Sequence, residues 1–418
     1  MDFPDFAVAS GEEASDPLVL HEGRVVRVDQ LGASGHLDRL DDDLADVAAL
    51  GVTVWRYGMP WARTEVEPGT YDWSLWDTAL AACERHGLTP VVDLCHFGLP
   101  DHYPGFCDPA WIDGFRRYVD AFLTRYPEPA WFTPVNEPGV TALASARIGF
   151  WNDRRASVDD YLVALGNIVL ANLEALARVR ADRDGWWIGA EGFGCDIVEP
   201  GDEDAERDAA TERALQWAVW DLHFGVEPLP DAARLREVID PAVLDRITEL
   251  VPLAPGPLRT VAGHDMYPVV ASAKGRRAER PVTIADRVAA YEATASAWHA
   301  RYDRPFWVAE TSNLGLRVDE GTEWLGALVA GLDRLAARGL PARGVCWYSR
   351  GDQVDWDTML AAPVGRVTEV GLFDTERRPR LVAEAYAGLA RERQPGDTRS
   401  HTSGPMSPAE PPPPPSSS

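Results

Sequence analysis

The sequence predicts an α/β chain folded as a (β/α)₈ barrel, and three observations predict it. Short apolar runs rich in β-branched and aromatic residues alternate eight times with longer amphipathic stretches, the pattern of parallel βαβ units. Several helical stretches close on a glycine that leads into the next strand, as in Leu50-Gly51-Val52, His86-Gly87-Leu88 and Arg338-Gly339-Leu340. Glycine enters the left-handed conformation that ends a helix without a Cβ clash. Eight such units over about 390 residues fit a barrel with insertions. A doubly wound open sheet is the competing fold, but neither GxGxxG nor a P-loop is present, so nucleotide binding has no support.

The expected strands are Phe6–Ser10, Val52–Tyr57, Thr89–Cys95, Trp131–Asn136, Trp187–Gly192, Ala262–Tyr267, Phe306–Ala309 and Arg343–Trp347. The expected helices are Leu37–Leu50, Leu75–His86, Pro109–Tyr126, Asp159–Arg183, Ala205–Phe224, Thr283–Arg301, Thr322–Arg338 and Val382–Arg393. Residues 1–393 read as a single catalytic barrel domain. Pro228–Leu258, rich in Pro, Asp and Leu, reads as an insertion with its own short helix. Residues 394–418 turn to Pro, Ser, Gly and Thr and end in Pro411–Pro415 and three serines. Such a composition cannot bury enough apolar surface to order itself and predicts a disordered tail.

Composition narrows the function classes. Of 418 residues, 45% are hydrophobic and 25% charged, enough for a large core. The formal charge of −26 argues against nucleic acid or an anionic membrane as partner. No apolar run approaches the ~18–20 residues of a membrane helix. Met1–Ser10 lacks the basic and apolar segments of a secretory signal. Cys83, Cys95, Cys107, Cys195 and Cys346 are scattered and odd in number, which suits free thiols in a reducing compartment and makes the cytoplasm the expected location. Lys274 is the single lysine, read as codon bias toward arginine. Oligomeric state is not legible.

In a barrel of this kind the C-terminal ends of the strands converge on one mouth, where sites are built. The polar and aromatic residues at those ends are Arg56, His96, Asn136 with Glu137, Tyr267, Glu310 and Trp347. Glu137 and Glu310, on strands 4 and 7, face each other across the mouth. Two opposed carboxylates are what cleavage of a glycosidic bond requires. One protonates the leaving oxygen and the other attacks the anomeric carbon, at about 5–5.5 Å separation in retaining enzymes. The acid must keep its proton near neutral pH, through burial or a neighbouring carboxylate.

The segment Trp131-Phe-Thr-Pro-Val-Asn-Glu-Pro138 contains W-x-T-x-N-E-P, and here the chain resembles glycoside hydrolase family 1. Other blocks follow in family order. Trp55-Arg56-Tyr57 with Trp61-Ala62-Arg63 resembles Y-R-F-S-x-x-W-x-R, and Cys95–Pro100 resembles H-x-D-L-P. Pro305–Glu310 resembles P-x-x-x-T-E-N-G, and Trp347 with Asp352–Trp356 resembles W-S-L-x-D-N-F-E-W. Gly371-Leu372-Phe373 and Arg377–Arg380 resemble the closing G-L-x-x-V-D and R-x-x-K. The resemblance spans about residues 6–390. It implies a retaining β-glucosidase-like hydrolase acting on a small-molecule β-glycoside, without metal or cofactor. Glu137 would be the acid/base and Glu310 the nucleophile with Arg56 beside it. Asn136 would hold the sugar 2-hydroxyl, His96 the 3-hydroxyl, and Tyr267 would hydrogen-bond the nucleophile. Trp347 and Trp356 would form a platform for the sugar ring.

The departures from the family lie on the sugar side. Ser10-Gly11-Glu12-Glu13 stands where the family has Q-x-E-G, so Glu12 is expected to replace an amide that binds sugar hydroxyls. Thr311-Ser312 replaces Asn-Gly, His264-Asp265-Met266-Tyr267 replaces N-Y-Y, and Asp355 replaces a Glu that reaches the 4- and 6-hydroxyls. Arg154 and Arg155, in the loop after the acid/base, suit either an acidic substrate group or a surface ion-pair cluster. A transglycosidase or biosynthetic tailoring glycosidase uses the same two carboxylates. A catalytically silent sugar-binding relative predicts loss of one carboxylate, and both are present. A metal-dependent barrel hydrolase lacks support, because His96 and His264 have no companion ligands.

Overall fold

The computed structural model describes residues 1–254 and 259–393. Eight strands, β1 (Ala7–Gly11), β2 (Val54–Gly58), β3 (Thr89–Asp93), β4 (Trp131–Thr133), β5 (Trp186–Ile188), β6 (Thr260–Asp265), β7 (Phe306–Thr311) and β8 (Ala342–Trp347), close into a barrel in sequence order, each parallel to its neighbours. The (β/α)₈ expectation holds. Helices α1 (His36–Ala49), α2 (Ser74–His86), α3 (Ala110–Arg125), α4 (Val158–Arg183), α5 (Glu203–Phe224), α6 (Ile284–Tyr302), α7 (Gly321–Ala337) and α8 (Leu381–Arg393) surround it. In α2 the buried Trp76, Ala79, Ala82 and Cys83 recur at helical spacing on one face. Gly87 ends α2 at φ 67° with its N–H on Cys83 O and Glu84 O.

The strands differ from their expected spans mainly at the mouth. β3 stops at Asp93, β4 at Thr133 and β5 at Ile188, several residues short. The apolar pattern runs on beyond them, but the chain leaves the ladder so that His96, Asn136, Glu137 and Glu191 can turn into the mouth. Elsewhere the ladder slips. Register shifts occur between Gly263 and Asp265 on β6 and between Val308 and Thr311 on β7. Such slips break the strict inside–outside alternation of a strand. Glu310 thereby follows the interior Ala309 toward the barrel axis.

Small residues and a few large ones fill the interior: Ala7, Ala9, Val54, Val91, Trp131, Ile188, Val261, Trp307, Ala309 and Cys346 pack as one cluster. Phe3 wedges edge-on between Trp131 and Trp307 at the end opposite the mouth. The barrel is therefore a plugged core, and chemistry is confined to the mouth. Helix α4 is long and apolar enough to cross a membrane, yet 78% of its apolar window is buried against the rest of the chain. It reads as a core helix. The insertion carries Leu235–Val238 and Pro241–Leu250, the latter capped by Asp240 on the Ala242 N–H. Residues 255–258 of the expected insertion and the expected tail, 394–418, lie outside the described residues.

β5 and β6 approach closely where both have glycine. A Cβ on Gly263 would fall 2.0 Å from the Gly189 carbonyl oxygen, which is backbone and cannot step aside. Gly263→Ala should lower stability by about 1–3 kcal/mol, the usual cost of overpacking, as read by urea denaturation. An unchanged midpoint would mean that the strands separate freely there.

Candidate active site

The mouth is organised around one buried guanidinium. Arg56, on β2, donates through Nη1 to Glu310 Oε1 on β7, and through Nη2 to Asn136 Oδ1 (2.6 Å) and Asp93 Oδ2 (3.4 Å). Its carbon lies 5.1 Å from the centroid of the Tyr348 ring. Glu310 Oε2 accepts a second hydrogen bond from the Tyr267 hydroxyl, at 2.8 Å. His96 sits on the far side of Asn136, its Nδ1 2.7 Å from Asp93 and its Nε2 3.2 Å from Asn136 Nδ2. Burial favours the neutral imidazole, but the charges of Asp93, Glu13 and Glu310 outweigh it and raise the His96 pKa.

Glu137 is held differently. Its backbone is left-handed (φ 39°), an uncommon conformation for a residue with a side chain, and its N–H is tied to Ala190 O at 3.1 Å. Glu191, just beyond β5, locks the turn after Glu137 by accepting the Gly139 N–H (2.8 Å) and also accepts the Gly192 N–H (3.0 Å). The Glu137 carboxyl is pushed well above the usual range by burial first, then by the charges of Asp265, Glu310 and Glu191. Glu137 is 7% exposed and Glu310 4%. One carboxyl oxygen from each of Glu137, Asp265 and Glu310 lies within 4.8 Å of the others.

Six of the expected residues thus converge: Arg56, His96, Asn136, Glu137, Tyr267 and Glu310. Four do not reach this cluster, and two of those are off by a single position. Glu12 turns away from the mouth to pair with Arg350 (2.8 Å), in a buried network with His36 and Asp43. Its neighbour Glu13 is the one that enters, 3.5 Å from His96 and accepting from Gln353 (3.1 Å) and Ser15. Burial raises the Glu13 pKa. Trp347 is fully buried between β8 and the helices, donating to Val370 O, so it offers no face to a sugar. Tyr348 points into the mouth instead, its ring nearly parallel to His96 and its hydroxyl on Glu12 O. In both cases the alternation of period two puts adjacent residues on opposite faces, so a one-residue error selects the wrong side.

Asp355 spends both carboxylate oxygens on the Gly365 and Arg366 N–H groups and closes its own loop. The half-buried Trp356 packs one ring further out, on Phe97 and Trp151. Arg155 pairs with Asp160 on the first turn of α4, the ion-pair alternative for that loop. Residues not singled out from sequence are Glu13, Asp93, Glu191, Asp265 and Tyr348. All stand at strand ends, so position was the available signal.

Among the described residues, two sets of side chains come close enough to hold a cation: Glu137, Asp265 and Glu310, and Glu12, His36 and Asp43. In each an arginine already supplies positive charge, Arg56 in the first and Arg350 in the second. That disfavours a second cation at the same place.

A parallel eight-stranded barrel with two opposed glutamates and a buried arginine at its mouth defines a glycosidase-like architecture. The profile of Glycosyl hydrolase family 1 matches residues 11–227, and the chain belongs to that family. Beta-glucosidase 42 of Arabidopsis thaliana is 27% identical over 220 residues, 47% of this chain and 44% of that protein. A protein described as probable inactive beta-glucosidase 14, from Oryza sativa subsp. japonica, is 24% identical over 216 residues, 46% of this chain and 42% of that one. The chain therefore spans under half the length of these curated relatives. The beta-glucosidase from Thermotoga maritima, solved in complex with glucoimidazole, superposes with a TM-score of 0.75 over 94% of this chain and 99% of that one. At 16% identity it speaks to fold alone.

Burial raises two further carboxyls, Glu191 to about 8 and Asp16 to about 7. The folded protein thus binds more protons than the unfolded chain between the ordinary carboxylate range and those values. Stability from this source is complete below the ordinary range and is lost as pH rises through 7 to 8. Above the range in which the buried neutral His223 and His264 offset this effect, denaturant titrations at successive pH values should show unfolding free energy declining from about pH 6.5 to pH 9. A steady rise would contradict the buried neutral state of these groups.

Proposed function

We propose that the protein is a retaining β-glycosidase that cleaves small β-glycosides by double displacement, with Glu137 as acid/base and Glu310 as nucleophile. The observation that carries this reading is the close approach of the two carboxyl groups across the mouth, with oxygens within 4.8 Å. Retaining enzymes hold them at about 5–5.5 Å, whereas inverting enzymes leave about 6.5–9.5 Å for a water. The two environments also differ in the required sense. Glu310 is flanked by the donors Arg56 and Tyr267. Glu137 is buried beside other carboxylates and keeps its proton.

In the first step Glu310 attacks the anomeric carbon while Glu137 gives its proton to the departing oxygen. In the second, water attacks that carbon, loses a proton to Glu137, and the ester on Glu310 breaks. Asn136, tied to Arg56 and His96, is placed to meet the sugar's 2-hydroxyl. Glu13 and Tyr348 supply the glycone contacts that Glu12 and Trp347 were expected to make. The sugar need not be glucose, because Glu13 carries a carboxylate where the family pattern has an amide.

A cavity of about 720 Å³ opens beside Gly139, Glu191 and Gly192. Arg147, Arg213 and Lys274 are offset there by Asp196, Asp208 and Glu212, which suits a polar leaving group without net charge. An acceptor bound in the same place would make the enzyme a transglycosidase. The five cysteines are free and buried, which supports the reading of a reducing compartment such as the cytoplasm.

A panel of aryl β-glycosides, as glucoside, galactoside, fucoside, xyloside and glucuronide, identifies the sugar. On the best of them Glu310→Ala should abolish turnover, with azide restoring a product of inverted anomeric configuration. Rescue with retained configuration would remove Glu310 as nucleophile. Glu137→Gln should cost about 10²–10⁴-fold on poor leaving groups and far less on activated aryl glycosides. Equal losses on both would remove Glu137 as the acid.

A further inference from the structure

The third carboxylate at the mouth is unaccounted for by the two-glutamate scheme. Asp265 ends β6, is 1% exposed, and neither of its oxygens receives a hydrogen bond from a described donor. An unpartnered buried carboxylate is costly. Arg56, the cation nearest this group, is committed to Glu310, Asn136 and Asp93. What Asp265 does have beside it is the Glu137 carboxyl, with one oxygen of each within 4.8 Å of the other.

Two adjacent carboxylates cannot both ionise cheaply, and they titrate as a pair. On the reading of Glu137 as acid/base, we propose that Asp265 is a positioning residue that shares one proton with Glu137 and thereby keeps the acid loaded. Among the described residues, the other charged or titratable groups facing this pair are Glu191 just beyond β5, Tyr267 just beyond β6, Glu310 from β7 and Arg56 from β2. Arg56 alone among these opposes the effect. Burial comes first in pushing both members upward; after it the Asp265 charge raises Glu137, whereas the Glu310 charge raises Asp265 and the contact with Glu137 lowers it, which leaves the proton on the Glu137 side.

The charge of the cluster is constant through the first step, and Asp265 raises it by one negative charge in both states. Before attack, Glu310 carries one negative charge and the Glu137–Asp265 pair carries one, together with its proton. After attack the Glu310 charge has gone into the ester bond, the proton has left with the departing alcohol, and Glu137 and Asp265 each carry one. Two charges are present in both states. The second carboxylate makes Glu137 a stronger base just when it must take a proton from water. An asparagine at position 265 could hold Glu137 by hydrogen bonding but could not add this charge.

The test compares wild type with Asp265→Asn and Asp265→Ser, reading kcat/KM against pH on the best aryl β-glycoside. Isotope-edited infrared spectroscopy of the carboxyl stretch follows the same proton without turnover, with Glu137→Gln identifying the band. Both substitutions should move the alkaline limb, and the Glu137 band, to lower pH by about one unit or more. A uniform fall in rate with limb and band unmoved in both variants would overturn the proposal and leave Asp265 a structural residue. If the band moves but the wild type cleaves no glycoside, the shared proton stands and the glycosidase reading is what fails.

Discussion

The Arg56 guanidinium is the interaction on which the rest of the mouth depends. Anchored on β2, it reaches Asp93 at the end of β3, Asn136 beyond β4 and Glu310 on β7, and so joins four strands through one fully buried cation. Taking a cation and its carboxylates out of water is costly, and the arrangement persists because each partner compensates another. Without the guanidinium, Glu310 and Asp93 would be left as buried anions. The position of Asn136, and through it His96, would also lose its reference point.

This single cation creates an asymmetry between two chemically identical side chains. Glu310 has the guanidinium and a tyrosine hydroxyl; Glu137 has only burial and the company of Asp265 and Glu191. Of two carboxyls in one small site, one is pushed toward holding its proton while the other is given a cation and a hydroxyl donor, the contrast that acid and nucleophile roles demand. The left-handed backbone of Glu137, clamped by Ala190 and braced through Glu191, fixes where the protonated group points.

Most of the fold was legible because hydrophobic period and glycine helix ends are local signals. All eight strands and eight helices lie within a few residues of where the pattern puts them. Glu137 was legible from the Asn-Glu-Pro block and Glu310 from falling on the seventh strand. Legibility fails where regular structure stops. Glu12 and Glu13 both follow the end of β1, and Trp347 and Tyr348 straddle the end of β8, where period-two counting runs out of strand. Asp265 was hidden by the register shift on β6, and its importance lies in what it faces across the barrel, which no local pattern encodes.

The proposed retaining mechanism is tested most directly by the anomeric configuration of the first product. Proton NMR recorded during early turnover of the preferred β-glycoside, before mutarotation equilibrates the sugar, distinguishes the two outcomes. The oxygen separation of Glu137 and Glu310 predicts that the β-anomer appears first. The α-anomer appearing first would contradict double displacement at this site.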